Sequence, residues 1–184
     1  MRIIPTELPE VVIVEPQVFG DARGFFMESY RLDRYADQGI KRPFVQDNLS
    51  RSSRGVIRGL HLQNPQPQGK LVSVLKGKVL DVAVDVRAGS PNFRCHVAVE
   101  LSDENRRQLW VPRGFAHGFA VLSEIADCFY KCDEYYCPKD EVSVRWDDPE
   151  LGIDWKLENP ALSAKDSRAP LLSEVKNLPN FGQV

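Results

Sequence analysis

Between residues 10 and 136 the sequence runs through one short β-prone segment after another, with nothing long enough to be a helix between most of them. "EVVIVEP", "GFFMESY", "LVSVLKGKVLDVAVDVR", "RCHVAVEL", "RQLWVP", "HGFAVLS" and "DCFYKCDEYY" are rich in Val, Ile, Leu, Phe and Tyr, and most are divided by Gly, Pro, Asn, Asp or Ser. Short strands at roughly 8 to 12 residue spacing, without intervening helices, argue for an antiparallel sandwich or barrel rather than a parallel α/β sheet.

Within that frame, "LVSVL" and "VLDVAVDV" are joined by Lys76-Gly77-Lys78, a short glycine-containing link that predicts a hairpin. One helix is expected in "RLDRYADQG", where Leu32, Tyr35 and Ala36 share a face and Gly39 can end it. From about Asp147 the chain becomes turn-rich. Trp155, Leu157, Leu162, Leu171 and Leu172 are hard to leave in water, so this tail reads as a C-terminal cap on the barrel. With 184 residues, 42% of them hydrophobic, and no repeat or low-complexity linker, the expectation is a single domain over 1–184.

A net charge of −2 with both signs interspersed predicts neither a nucleic-acid face nor a membrane patch. "MRIIPTELPEVVIVEP" carries prolines and acids where a signal peptide needs an unbroken apolar core, and no run reaches the ~20 apolar residues of a membrane span. The expected location is cytoplasmic. Cys95, Cys128, Cys132 and Cys137 match no CxxC or disulfide framework and read as ordinary reduced thiols.

Several strand segments contain polar groups that are costly to bury without purpose. In "GVIRGLHLQ", residues 55–63, strand alternation points His61 and Arg58 to opposite faces. For both to face one cavity the strand must bulge, and Gly59 between them is where it could. Lys70 shares parity with Val72 and Val74, and Asp81 with Val79 and Ala83, so each is a charge among apolar neighbours if those faces point inward. His96 in "RCHVAVE" reads as structural or exposed, and Tyr130 in "CFYKC", on its own residues, reads as an ordinary strand aromatic.

Gly55 followed six positions later by His61, together with Pro112, Gly114 and His117 in "VPRGFAHGF", resembles the two motifs of the cupin superfamily of jelly-roll barrels. The implied fold is all-β, a double-stranded β-helix with short peripheral helices. Cupins commonly hold a metal through two histidines and a carboxylate of the first motif and a histidine of the second. Here Gln63 replaces the second histidine, and "NPQPQGK" offers no carboxylate. Such a donor set is poor, so no metal is expected. The remaining groups, His61, His117, Lys70, Arg58 and Asp81, suit proton transfer and anion binding.

"FGDARGFFMESY", "VQDNLSRSSRGVIRGLHLQ", "QGKLVSVLKGKVLDVAVDVR", "LWVPRGFAHGF", "YKCDEYY", "WDDPELGIDW" and "LSAKD" follow one another across nearly the whole chain, and together resemble the dTDP-4-dehydrorhamnose 3,5-epimerase family. The resemblance implies a metal-independent, cofactor-free isomerase of dTDP-rhamnose biosynthesis. It would epimerise dTDP-4-dehydro-6-deoxy-D-glucose at carbons 3 and 5, beside the keto group, through enolates, giving dTDP-4-dehydro-L-rhamnose. By similarity His61 is the base, Asp166 its carboxylate partner, Lys70 the enolate stabiliser and Tyr130 the acid on the opposite face. Arg23, Glu28, Gln46, Asp47, Asn48, Arg58, Lys70, His117, Glu141 and Lys165 are implied to bind the dTDP-sugar, and a homodimer sharing strands is implied as well. Leu49 and Leu62 stand where members often carry His and an aromatic. Epimerisation at carbon 3 or 5 only, a metal-dependent cupin enzyme, and a non-catalytic sugar-nucleotide-binding cupin remain the alternatives.

Overall fold

The computed structural model describes residues 1–183. Strands β1 (Arg2–Pro5), β2 (Val12–Glu15), β3 (Val18–Asp21) and β4 (Gly24–Met27) precede a single α-helical turn, α1 (Leu32–Ala36). The barrel proper follows: β5 (Gln46–Ser53), β6 (Ile57–Gln63), β7 (Lys70–Lys76), β8 (Lys78–Asp85), β9 (His96–Ser102), β10 (Gln108–Val111), β11 (Phe115–Val121), β12 (Ile125–Cys132) and β13 (Glu141–Ser143). One antiparallel sheet has the order β1-β2-β10-β7-β12-β5, the other β13-β6-β11-β8-β9, and β3 and β4 form a separate hairpin arm. The two large sheets make the jelly roll that the paired motifs predict.

Between the sheets lies a core of Val72, Val74, Val79, Ala83, Phe115, Phe119, Val121, Ala126 and Cys128. A second cluster, Ile57, Leu60, Leu62, Leu80, Val82 and Val84, covers the outer face of the β6–β11–β8 sheet with Trp155 and Leu172 of the C-terminal segment. That is why β11 is buried at every position and β8 at all but its first: a strand covered on both faces has no solvent side for polar residues. The expected cap is therefore real. Trp155 is 3% exposed and donates from its indole N–H to Trp146 O at 2.8 Å.

Two expectations need correction. β7 and β8 do not pair as a hairpin; they belong to different sheets. Gly77, at φ +77°, turns the chain across the edge of the sandwich, and a Cβ there would lie 2.0 Å from Ile125 O. A three-residue glycine link looks the same in sequence whether it closes a hairpin or turns a corner, and the competing β12 and β11 partners decide. In α1 only Tyr35 is buried, while Leu32 is 46% exposed. One helical turn is too short to present a continuous apolar stripe. Gly39 does end that segment, at φ +94°.

Candidate active site

The demand that Arg58 and His61 face one cavity is met by a bulge. His117 on β11 pairs with His61, but Phe119, two residues on, pairs with Arg58, three residues back. One extra residue of β6 sits between the two pairs. Gly59 occupies it at φ +121°, where a Cβ would meet Gly118 Cα at 2.6 Å. Two glycines on neighbouring strands allow this close approach, and the bulge puts Ile57, Leu60 and Leu62 in the outer cluster while Arg58 and His61 turn inward.

A cavity of about 500 Å³ opens between the sheets, lined by Ser50, Arg58, His61, Lys70, His117 and Tyr130 together with Ser163, Lys165 and Asp166 of the C-terminal segment. An adjoining lobe of about 310 Å³ shares His61, Lys70 and Tyr130 and adds Gln46, Asn48, Tyr136 and Glu141. Lys70 and Tyr130 come from β7 and β12 of one sheet, where Lys70 faces Cys132 and Tyr130 faces Val72. Histidines 61 and 117 come from β6 and β11 of the other. The imidazoles and the phenol thus enter the space from opposite walls.

His61 Nε2 lies 2.6 Å from Asp166 Oδ1, and Asp166 is 3% exposed. Burial pushes the Asp166 carboxyl up, but the hydrogen bond and charge of His61, with lesser help from Ser163 and Lys165, hold it below the usual range. An ionised carboxylate only accepts, so Nε2 carries the hydrogen and Nδ1 keeps the lone pair that can take a proton. Burial drives the Lys70 ammonium below the ordinary lysine value, partly opposed by Cys132, Asp81 and Glu141. Burial pushes the Tyr130 phenol up, so it keeps its proton. The cavity thus brings together an imidazole with a free lone pair, a buried amine and a protonated phenol.

His117 Nε2 bonds Asp81 Oδ1 at 2.9 Å. The Gln63 amide donates to Gln66 O and Tyr135 O and accepts from Cys137 N–H, so it brings no third ligand to the two imidazoles, and the donor set does not fit a metal. No group of three or more His, Cys, Asp or Glu is arranged around a metal position among the described residues.

The remaining expected residues divide. Arg58 donates to Ser52 Oγ at 2.9 Å at one end of the cavity. Gln46 Nε2 donates to Asn48 Oδ1 at 3.0 Å along the adjoining lobe. Glu141 accepts from Lys165 Nζ at 2.5 Å and from Tyr136 OH at 3.0 Å, tying the C-terminal segment to the mouth. Burial pushes the Glu141 carboxyl up, but Lys165 and Tyr136 bring it below its ordinary value. Asp47 lies elsewhere: alternation along β5 turns it away from Gln46 and Asn48, and Lys131 Nζ binds it at 2.9 Å. Arg23 and Glu28 also lie outside the cavity. Arg23 pairs with Asp21 at 2.5 Å on the β3–β4 arm, and Glu28 pairs with Arg34 at 3.0 Å. Ser50 and Tyr136 line the site without having been foreseen. The parity of 46, 48 and 50 could have found Ser50, whereas nothing in the loop sequence marks Tyr136.

Residues 5–174 match the family model described as dTDP-4-dehydrorhamnose 3,5-epimerase. The chain is 52% identical over 178 residues to the enzyme of that name from Salmonella typhimurium, covering 95% of this chain and 97% of the relative. It is 50% identical over 182 residues to its namesake from Pseudomonas aeruginosa, covering 97% and 100%. Among solved structures it is similar to a dTDP-6-deoxy-D-glucose-3,5-epimerase from Legionella pneumophila in complex with dTDP-4-keto-L-rhamnose, at 55% identity and TM-score 0.96 over 98% of both chains.

Proposed function

The chain belongs to the dTDP-4-dehydrorhamnose 3,5-epimerase family of carbohydrate isomerases, and on that premise we propose that it inverts carbons 3 and 5 of dTDP-4-dehydro-6-deoxy-D-glucose in dTDP-rhamnose biosynthesis. One observation carries the residue assignments: His61 and Tyr130 enter a single cavity from facing sheets, with Lys70 beside Tyr130. A stereocentre is inverted by taking a proton from one face and returning one to the other, so the base and the acid have to stand on opposite sides of the sugar.

In this reading His61 takes the proton next to the ketone, and Asp166 stabilises the imidazolium that forms. Charge then builds on the ketone oxygen, where Lys70 acts as a preorganised donor; groups in that role are typically worth about 3 to 4 kcal/mol. Tyr130 delivers a proton from the far wall. Arg58 and Lys165 take the pyrophosphate, since forked and point cations on either side of the cavity suit its oxygens. Binding energy from the nucleotide then holds the sugar carbons against His61.

Arg23 and Glu28 enter this scheme through a homodimer. The arm that carries Arg23 exposes Phe19 at 55% and Phe26 at 69%, cross-strand neighbours on one face, and Phe25 at 57% on the other, apolar surface that a second copy would cover. The partner's arm would bring Arg23 and Glu28 to this cavity. No helix among the described residues is long and apolar enough to cross a membrane, and we place the reaction in the cytoplasm.

The test is solvent exchange. Chelator-treated protein and its His61→Ala variant are incubated with dTDP-4-dehydro-6-deoxy-glucose in deuterated water and followed by NMR. Deuterium at carbons 3 and 5 with inversion at both, absent in the variant, is the expected result. Exchange and inversion at one carbon only would make the protein a mono-epimerase, and tight binding without exchange would reject the reaction for this substrate.

A further inference from the structure

We propose that Asp81 is a positioning residue of the reaction centre, a carboxylate sealed behind His117 that orients the imidazole and keeps Lys70 cationic. Asp81 stands in the middle of β8 at 0% exposure, on the face it shares with Val79 and Ala83. Oδ1 accepts from His117 Nε2 at 2.9 Å, and Oδ2 is buried with no hydrogen-bond partner. For packing alone an apolar residue would serve as well or better, because an incompletely satisfied buried carboxylate is costly. Its charge therefore has an electrostatic use, and the groups around it identify that use.

The titratable and charged groups facing this space are Arg58 and His61 on β6, Lys70 on β7, His117 on β11, Cys128, Tyr130 and Cys132 on β12, Glu141 on β13, and Lys165 and Asp166 from the C-terminal segment. Burial works against the Lys70 ammonium; Cys132, Asp81 and Glu141 work for it. Cys132 is a weak ally, since burial pushes its thiol up and keeps it neutral. Glu141 is already engaged by Lys165 at 2.5 Å and Tyr136 at 3.0 Å. Asp81 retains a free carboxylate oxygen and supplies the uncommitted negative charge. With His117 Nε2–H donating to it, the His117 lone pair is left on Nδ1, so one carboxylate sets an acceptor on one wall and sustains a cation on the other.

The inference rests on the epimerase reading only for the part Lys70 plays in turnover, and the test separates the two. In Asp81→Asn the alkaline limb of kcat is expected to move to lower pH, kcat near pH 8 to fall about tenfold or more, and KM to change by less than about threefold. Lysine ¹³Cε NMR, with Lys70 assigned by the signal lost in Lys70→Met, follows the same ammonium without substrate. Its titration should move to lower pH in Asp81→Asn and in Asp81→Val, the latter chosen to match the apolar neighbours should the amide variant not fold. An unmoved Lys70 titration, or a wild-type Lys70 already neutral at pH 7, overturns the proposal. A shifted titration in a protein that turns over no nucleotide sugar would uphold it while rejecting the epimerase reading.

Discussion

Replacing Asp166 by Asn leaves the size of the side chain unchanged and removes its charge from beneath His61, the proposed base. The pair is close and sheltered: 2.6 Å between His61 Nε2 and Asp166 Oδ1, with side-chain exposures of 28% and 4%. When His61 takes a proton, an imidazolium forms about 4 Å, between charge centres, from the carboxylate. At an effective dielectric of about 20 that attraction is roughly 4 kcal/mol. A neutral amide accepting from Nε2–H retains about 1 kcal/mol. The difference, about 3 kcal/mol, appears only once charge develops, so it falls on kcat and amounts to roughly a hundredfold. An amide turned to present its NH₂ would place the imidazole hydrogen on Nδ1 and remove the base, making the loss larger. The assay is the rate of deuterium entry at carbons 3 and 5 under saturating nucleotide sugar, with affinity measured by calorimetry. A variant that exchanges within about fivefold of wild type, or one whose loss lies wholly in affinity, would refute the argument.

Because burial lowers the Lys70 ammonium and raises the Tyr130 phenol, the alkaline limb of kcat should belong to Lys70, lie below the ordinary lysine value and persist in Tyr130→Phe; a pH–rate profile of that variant checks it. Gly59→Ala should destabilise the fold by about 3 kcal/mol, combining a 2.6 Å clash with Gly118 Cα and a φ of +121°, as measured by urea unfolding. Asp85 is fully buried against Arg87 at 2.7 Å, so Asp85→Ala should cost about 3 kcal/mol by leaving that guanidinium short of a partner, read as a fall in Tm. Burial pushes the Asp85 carboxyl up, but Arg87 and Ser90 prevail and lower it. Its contribution to stability is therefore full above the unfolded carboxylate value near pH 4 and lost as pH falls through the depressed folded value, so the variant's Tm should converge on that of wild type in acid.

Much of this site was legible before any coordinates. Period-two alternation put Lys70 with Val72 and Val74, and Asp81 with Val79 and Ala83, and those faces do point inward. The same rule set Arg58 and His61 on opposite faces, so a shared cavity required a bulge at Gly59, which the register shift supplies. Asp47 was legible in principle, since one step along β5 from Gln46 reverses the face. The Gly77 link was not, because a local turn signal carries no information about which distant strands compete for the flanking segments. Asp166 lay beyond any strand pattern: it sits on a 3-10 turn spanning Asp166–Arg168 in a cap held by side-chain packing, and only the family resemblance pointed to it. Arg23 lies within, and Glu28 just beyond, an arm whose phenylalanines stay more than half exposed, with Arg106 lying over Phe25.

Asp166 lies 105 positions beyond His61, so the pair joins two distant parts of the chain. Both histidine-bearing strands, the lysine and the phenol are complete once residue 132 has joined its sheet, yet the imidazole lacks its carboxylate until the C-terminal segment docks. Closing a contact over so long a stretch of chain carries a loop-entropy cost that packing of the C-terminal segment has to offset. A chain without Asp166 would lose the carboxylate that fixes the His61 ring, so the proposed chemistry at the sugar carbons depends on a segment that belongs to neither sheet.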